Sequence, residues 1–584
     1  MITRVSRPLW ILAFSVLAVW SSLSTAALGQ TAAARSFTPI GAEQIAAAAA
    51  AQPEVISSLV EKGRSLETSG RWAEALSHYE EALREHPNDA VLTSRFDTAR
   101  LHYSLEQRYD DRSFRNSIAS LRQREALELY GDLLSKIGTH YYTTPPWSDL
   151  FQRGAQSLDI ALADPKFLKS NNIRANANQI EQLRASLRQL ASRYRIASRN
   201  DAMNVASQAA QLGRKQIGLS ESATILEFTA AAASALDHYS AFLTADQLRD
   251  IYSQIEGNFV GLGVELKADN GALLIVHVIP NSPAQAAGIL DGDRIVAVGG
   301  QSTGKMSTDE AASLLTGPEN SICQVSVVSP GQAARELSVR RAHVEVPSLE
   351  DVKIVDAAHG VAYVRIPAFQ KTTARDLEAA LWDLHSKGMR SLVLDLRGNP
   401  GGLLTASVEV ADKFIADGPI VSTRGRSEQE NFNYRAHRPG TWRVPLVVLI
   451  DGDSASASEI FAAAIKDSRR GTVIGTRSYG KGSVQGIFPL GYAGAGARIT
   501  TAKFYSPLGH PIANVGVTPD IDSRRATLAT NGASGATGPE LSPAANMHQV
   551  NFRGVDSTPA AAGNSDATLN LAIEVVQNQP VAQL

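Results

Sequence analysis

Cysteine is what the sequence lacks most. Cys323 is the single one in 584 residues, which excludes an intramolecular disulfide, a four-cysteine zinc site and a CxxC redox pair. Excess charge of one sign is missing as well. Fifty-six basic against 58 acidic residues leave a formal charge of −2, which argues against a nucleic-acid binder, since such proteins present a clearly basic face. No cluster of His, Asp and Glu has metal-ligand spacing, so neither a metal nor another cofactor is expected. Long apolar runs are absent except one at the start, which excludes a multi-span membrane protein. What is there, 44% hydrophobic and 20% charged residues, is close to the average of folded globular chains. The length exceeds one core, because single cores stop growing near ~250–300 residues.

Arg4 and Arg7 precede an apolar run from Leu9 to Val19 and small residues from Ser21 to Ala27. That is the order of a secretory signal peptide over 1–29, and it predicts an exported, periplasmic or otherwise extracytoplasmic body. An uncleaved anchor at the inner membrane is the alternative. No cysteine follows the run, which excludes a lipoprotein anchor. An Ala-rich tether (30–52) leads to a helical segment, 53–112. There Gly63, Ala75, Tyr79, Ala82 and Pro87 fall where a tetratricopeptide repeat puts small, aromatic and terminating residues,; Arg124–Tyr130 reads as a degenerate second copy. A plain helical hairpin is the competing reading, because such repeats need neighbours to bury their faces. Residues 113–245 stay helical, with apolar residues at three-to-four spacing. Short β runs follow over 246–343. Strands then alternate with helices over 344–523, an α/β pattern. A low-complexity stretch (524–565) precedes a last helical segment, 566–584.

In the β-rich stretch, Gly261-Leu262-Gly263-Val264 joins a glycine turn to a strand start. Successive backbone N–H groups in such a turn form an anion nest suited to a peptide's terminal carboxylate, and the strand edge can accept the rest of the peptide. With Pro280, Ser282-Pro283-Ala284, Ala287-Gly288 and Gly292-Asp293 downstream, 246–343 resembles a PDZ domain of the bacterial protease type. Leu314 and Leu315, on a helix Thr308–Leu315, are expected to line the groove for an apolar last side chain.

Three segments of the α/β part carry chemistry. Asp395-Leu396-Arg397-Gly398-Asn399-Pro400-Gly401-Gly402 lies between a buried strand and a helix, where N–H groups suit developing negative charge,. Asp453-Ser454-Ala455-Ser456-Ala457-Ser458-Glu459 lies at a second strand-to-helix passage. A serine there is often only an N-cap, and nothing local singles out one of the three. Arg477-Ser478-Tyr479-Gly480-Lys481-Gly482-Ser483-Val484-Gln485 sets a lysine between glycines; buried, such an amine loses its proton and can take one from a serine. The Ser-x-x-Lys pairs Ser302/Lys305 and Ser478/Lys481 are read as chance.

From Leu392 to Gln485, and on through Tyr505-Ser506-Pro507-Leu508-Gly509 and Gly516-Val517-Thr518-Pro519-Asp520, the chain resembles the carboxy-terminal processing (tail-specific) protease family. Leu236-Asp237-His238-Tyr239-Ser240-Ala241-Phe242-Leu243 is similar to the family's LDPHSSYL, with His238 where proline is common. The resemblance implies a ClpP/crotonase-like layered α/β protease core, an inserted PDZ domain and an N-terminal helical region. It implies Ser456 as nucleophile, Lys481 as base, Gln485 orienting the lysine, and the N–H groups of Gly402 and Ala457 as oxyanion donors. Asp467 matches an acidic family position and is read as structural support. The partners expected are proteins with apolar C-terminal tails. An adaptor on the N-terminal helices and a homodimer are further expectations. The alternative is a non-catalytic PDZ/tetratricopeptide scaffold with a degenerate core.

Overall fold

A computed structural model describes residues 42–269, 272–306, 308–437, 441–524 and 566–578. The expected leader, the tether as far as residue 41, linker residues 525–565 and the last six residues lie outside the described residues. Two compact units divide the chain, Met1–Ser58 and Leu59–Leu584. Residues 42–58 of the first are helical, within α1 (Ala42–Thr68). No described helix is long and apolar enough to cross a membrane.

In the second unit, α2 (Trp72–Glu85) and α3 (Ala90–Asp110) form a hairpin. Asp89 caps α3, accepting from Val91 N and Leu92 N at 2.9 and 2.8 Å,. Gly63 touches the Tyr79 ring so closely that a Cβ would stand 2.2 Å from it, the close approach expected of a small residue there. Arg124–Tyr130 does not extend this hairpin. It lies on the helix Gln123–His140, where Leu129 and Tyr130 enter the core of the helical body. At the centre of that body is Glu221–Ser234, almost wholly buried, with its Glu227 paired to Arg108 at 2.6 Å.

Asn258–Gly261 and Ala342–Glu345 pair antiparallel and form a two-strand neck. Between them lies a β domain with antiparallel neighbours in the order Val264–Asp269, Ala272–Val278, Arg294–Val298, Ile322–Val328, Arg335–Arg340. Its core includes Ile275, Ile295, Cys323 and Val325. Leu315 also belongs to that core, only 4% exposed, and Leu314 packs partly buried against it. Leu315 is therefore not a groove residue; its helix turns it inward.

The α/β part is built on a six-stranded sheet, ordered Glu350–Asp356, Val361–Arg365, Ser391–Asp395, Leu446–Ile450, Thr472–Gly475, Ile521–Asp522. All neighbours but the first pair are parallel. Ser391–Asp395 and Leu446–Ile450 are buried at every residue, as parallel strands covered on both faces must be. Helices Thr373–Ser386, Leu404–Asp412 and Ala457–Asp467 cover one face through Leu381, Val410 and Phe461. The helix Ala567–Gln577 covers the other through Ala572 and Val576, against Val393 and Val447. A second, antiparallel sheet joins Ala241–Leu243, Gly496–Tyr505, Gly418–Gly425 and Asn433–Ala436, with Ser483–Pro489 on Gly496–Tyr505. Its Leu490, Ala497 and Ile499 side reaches the helical core.

Candidate active site

Three adjacent parallel strands, Ser391–Asp395, Leu446–Ile450 and Thr472–Gly475, all release their chains at the same edge. In a parallel sheet the carboxyl ends of neighbouring strands open onto one crevice. The three motif segments are the loops that leave these ends, which is why residues 402, 456 and 481 can meet.

The glycine and serine loops are stitched together at Asn399. Its carbonyl accepts Ala455 N at 3.0 Å and Ser458 Oγ at 3.0 Å, and its Oδ1 accepts Gly401 N at 2.8 Å. Ser454 Oγ donates to Leu396 O at 2.8 Å. Ser454 and Ser458 are both fully buried and their hydroxyls are committed to backbone carbonyls. Ser456 alone of the three keeps partial exposure. It also has φ 56° and ψ −111°, a conformation that costs of order 1–3 kcal/mol for a residue with a Cβ. A strained strand-to-helix turn of this kind lifts a side chain clear of its own helix. Of the three serines, Ser456 is thus the one that keeps partial exposure.

Gly401 and Gly402 pack against this turn. A Cβ on Gly401 would lie 2.7 Å from Ser456 Cβ and 3.0 Å from Ala457 N. Gly402 has φ 132°, and a Cβ on it would lie 2.2 Å from Phe369 O. Gly402 N and Ala457 N donate to no described residue. Gly401 and Ala457 thus adjoin the partly exposed serine, and the N–H groups of Gly402 and Ala457 are unspent among the described residues.

Lysine and serine are tied through a residue the sequence reading passed over. The buried Glu459 carboxylate takes Ser456 N at 2.8 Å and Lys481 N at 2.8 Å on the same oxygen. These two backbone nitrogens can be no farther apart than twice that distance. Its other oxygen takes Ser478 Oγ and Gly480 N, both at 2.6 Å. Burial pushes the Glu459 carboxyl up, opposed by these four donors,. A sequence signal existed: Ser456-x-x-Glu459 is a capping-box spacing,.

The Lys481 amine lies 5.2 Å from the Tyr239 ring centre and has no hydrogen-bond partner among the described residues. Desolvation, then the Arg498 cation, depress it to about 8 against the pull of Glu459, Glu80 and Asp237. An amine with that value is partly neutral near physiological pH, as a general base must be. Tyr239 comes from the 236–243 turn, next to His238. There Asp237 Oδ1 accepts Tyr239 N at 2.9 Å and Ser240 N at 2.8 Å. Gln485 does not touch the amine: its side-chain amide donates to Ser483 Oγ at 2.9 Å and Ser483 O at 3.2 Å. A register shift between Val484 and Gln485 in the pairing with Gly496–Tyr505 resets the side-chain alternation there,. Asp467 sits apart, accepting from Ser506 Oγ at 2.6 Å and Leu508 N at 3.1 Å.

In the β domain, the carbonyls of Leu262 and Gly263 are engaged by Ala284 N at 2.8 Å and Ile279 N at 3.0 Å. Their N–H groups donate to no described residue. Leu262's side chain is buried in the domain core, so this loop can offer a ligand its backbone.

A layered α/β core with a β domain on a two-strand neck and a partly exposed, strained serine beside unspent amides defines the class. The peptidase family S41 pattern matches residues 360–523 and the PDZ pattern residues 274–329. A carboxyl-terminal-processing protease of Picosynechococcus is 34% identical over 288 residues, 49% of this chain and 69% of that protein. A carboxy-terminal-processing protease of Bartonella bacilliformis is 38% identical over 292 residues, 49% of this chain and 66% of the relative. CtpB of Bacillus subtilis, a carboxy-terminal processing protease, is 32% identical over 291 residues and matched over 59% of its length. The chain thus spans about 59–69% of these curated relatives. Among solved structures, a photosystem II D1 C-terminal processing protease is covered to 92%, with 68% of this chain, 24% identity and a TM-score of 0.35. The chain belongs to the carboxy-terminal processing protease family, peptidase family S41.

Proposed function

We propose that the protein is an extracytoplasmic serine endopeptidase that uses Ser456 and Lys481 to cut proteins near apolar C-terminal tails, in protein processing or quality control. The observation that carries the reading is the Glu459 oxygen shared by Ser456 N and Lys481 N. It ties the one accessible serine of its loop to the turn that holds a depressed amine. Neutral Lys481 takes the hydroxyl proton, and Ser456 Oγ bonds to the scissile carbonyl carbon. The oxyanion is met by Gly402 N and Ala457 N. As the tetrahedral adduct collapses, the lysine returns the proton to the leaving amine. Water then hydrolyses the acyl-enzyme by the same proton path. Gln485 acts one step back, fixing Ser483 at the head of the strand that follows the lysine turn.

The nest at Gly261-Leu262-Gly263-Val264 takes the substrate's terminal carboxylate, and the edge of Val264–Asp269 accepts the tail as an added strand. The scaffold alternative predicts a lost serine, lysine or glycine pair, and all are present. The test is cleavage of a protein ending in an apolar tail. Wild type cuts it, while Ser456→Ala and Lys481→Arg do not, since an arginine cannot give up its proton. Cleavage by either variant would overturn the dyad. Amidating the tail's carboxylate weakens binding if the nest reads it. Equal binding of both tails would remove that role.

A further inference from the structure

The helical hairpin α2–α3 precedes the family-matched region by more than 160 residues, yet it reaches the lysine from two sides. From α2, Glu80 accepts the Tyr479 hydroxyl, and the Arg84 guanidinium lies 4.2 Å over the Tyr479 ring and 4.0 Å from Asp453. Tyr479 is two residues before Lys481, and its N–H donates to Ser454 O at 3.0 Å. From α3, Arg100 donates to Asp237 O at 2.8 Å, and the Phe96 ring meets His238 edge-on at 4.7 Å. That is the turn that puts Tyr239 beside the amine. The hairpin thus holds this turn at both Asp237 and His238.

Resting on the reading of Ser456 and Lys481 as a dyad, we propose that this hairpin is a positioning element of the catalytic base, with Glu80 as its positioning residue acting through Tyr479. The phenol is the side chain of the 478–481 turn that Glu80 and Arg84 of α2 hold. The rest of the turn is held by Glu459, by Ser454 O and by the 512–517 segment, through Asn514 N on Gly480 O at 2.8 Å and Val517 N on Ser478 Oγ at 2.6 Å; the phenol is where α2 adds its hold. A base displaced by about 1 Å costs on the order of 10²-fold in rate. The charged and titratable groups facing the amine are Glu459 from its helix, Glu80 and Arg84 from α2, Asp237 and Tyr239 from the turn, Tyr479 from its own loop, and Arg498 from the strand Gly496–Tyr505. Glu80 is one of the anions favouring the ammonium.

The test uses the full chain carrying Glu80→Ala, Glu80→Gln or Tyr479→Phe, with Ser456→Ala and Lys481→Ala as controls. The readouts are kcat and KM on an apolar-tailed peptide and the rate at which phenylmethylsulfonyl fluoride modifies Ser456. Glu80→Ala and Tyr479→Phe are expected to lower kcat and the sulfonylation rate together by about 10–100-fold, with KM unchanged. Glu80→Gln still accepts the phenol and restores most of that rate. It also moves the acid limb of the kcat/KM profile to lower pH, because an anion facing the amine is gone. Unchanged kcat and sulfonylation in both Glu80→Ala and Tyr479→Phe would overturn the proposal, as would a loss seen only in melting temperature. An active Lys481→Ala control would instead overturn the dyad itself, whatever the Glu80 variants do.

Discussion

The two halves of the candidate site are built differently. The serine half is held by backbone and short side chains of the α/β core itself: Asn399 ties the glycine loop to the serine loop, and Ser454 and Ser458 are bonded to carbonyls of the glycine segment. The lysine turn is held by backbone as well, Tyr479 N on Ser454 O and Asn514 N on Gly480 O, but it also takes longer side chains: Glu459 from the helix after Ser456, Tyr239 from a distant turn and Glu80 from the N-terminal hairpin. A nucleophile and its oxyanion donors can thus be in place while the base still needs outside contacts. In such a design, activity can fail on the lysine side with the serine side intact.

Substitutions that break this contrast rank by expected effect. Ser456→Ala abolishes peptide cleavage, a loss on the order of 10⁴–10⁶-fold, with an unchanged melting curve; a steady-state assay beside calorimetry checks both. Gly402→Ala drives a Cβ into Phe369 O and misaims an oxyanion donor. About 10²–10³-fold in kcat should go, with KM measured in the same assay staying close to wild type. Glu459→Gln strikes both halves at once, since one amide cannot accept from four donors. Roughly 2–4 kcal/mol of stability, read by urea unfolding, and at least about 10²-fold of activity are expected to be lost. Ser458→Ala leaves only Asn399 O short of one donor. It should cost about 1–2 kcal/mol and keep catalysis within severalfold. A Ser458→Ala enzyme as dead as Ser456→Ala would erase the distinction among the three serines.

Much of this arrangement was legible in the residues. Strand Leu446–Ile450 is an unbroken apolar run, Ser391–Asp395 carries Leu392-Val393-Leu394 at its centre, and the glycine and serine segments lie at their carboxyl ends, so the convergence of loops follows from parallel pairing. Which of the three serines stays accessible was not legible from spacing, because it depends on a backbone angle at Ser456 and on which hydroxyls are spent. The roles of Tyr239 and Glu80 were hidden for another reason: each lies more than 200 residues from Lys481, and only tertiary packing brings them near. Leu315 was misplaced because helix periodicity names two adjacent leucines without saying which faces inward. Gln485 bonds back to Ser483 beside a strand irregularity that residue counting does not reveal.

The central claim is that an uncharged Lys481 activates Ser456, and one measurement reaches it directly: the pH dependence of Ser456 sulfonylation, located by mass spectrometry, in wild type and in Lys481→Ala. Because the amine must be neutral to accept a proton, the wild-type rate should climb through a midpoint near the lysine's value of about 8, and the variant should lose that limb along with nearly all the rate. Modification at a different serine, or a Lys481→Ala enzyme that keeps the wild-type rate and profile, would contradict the account.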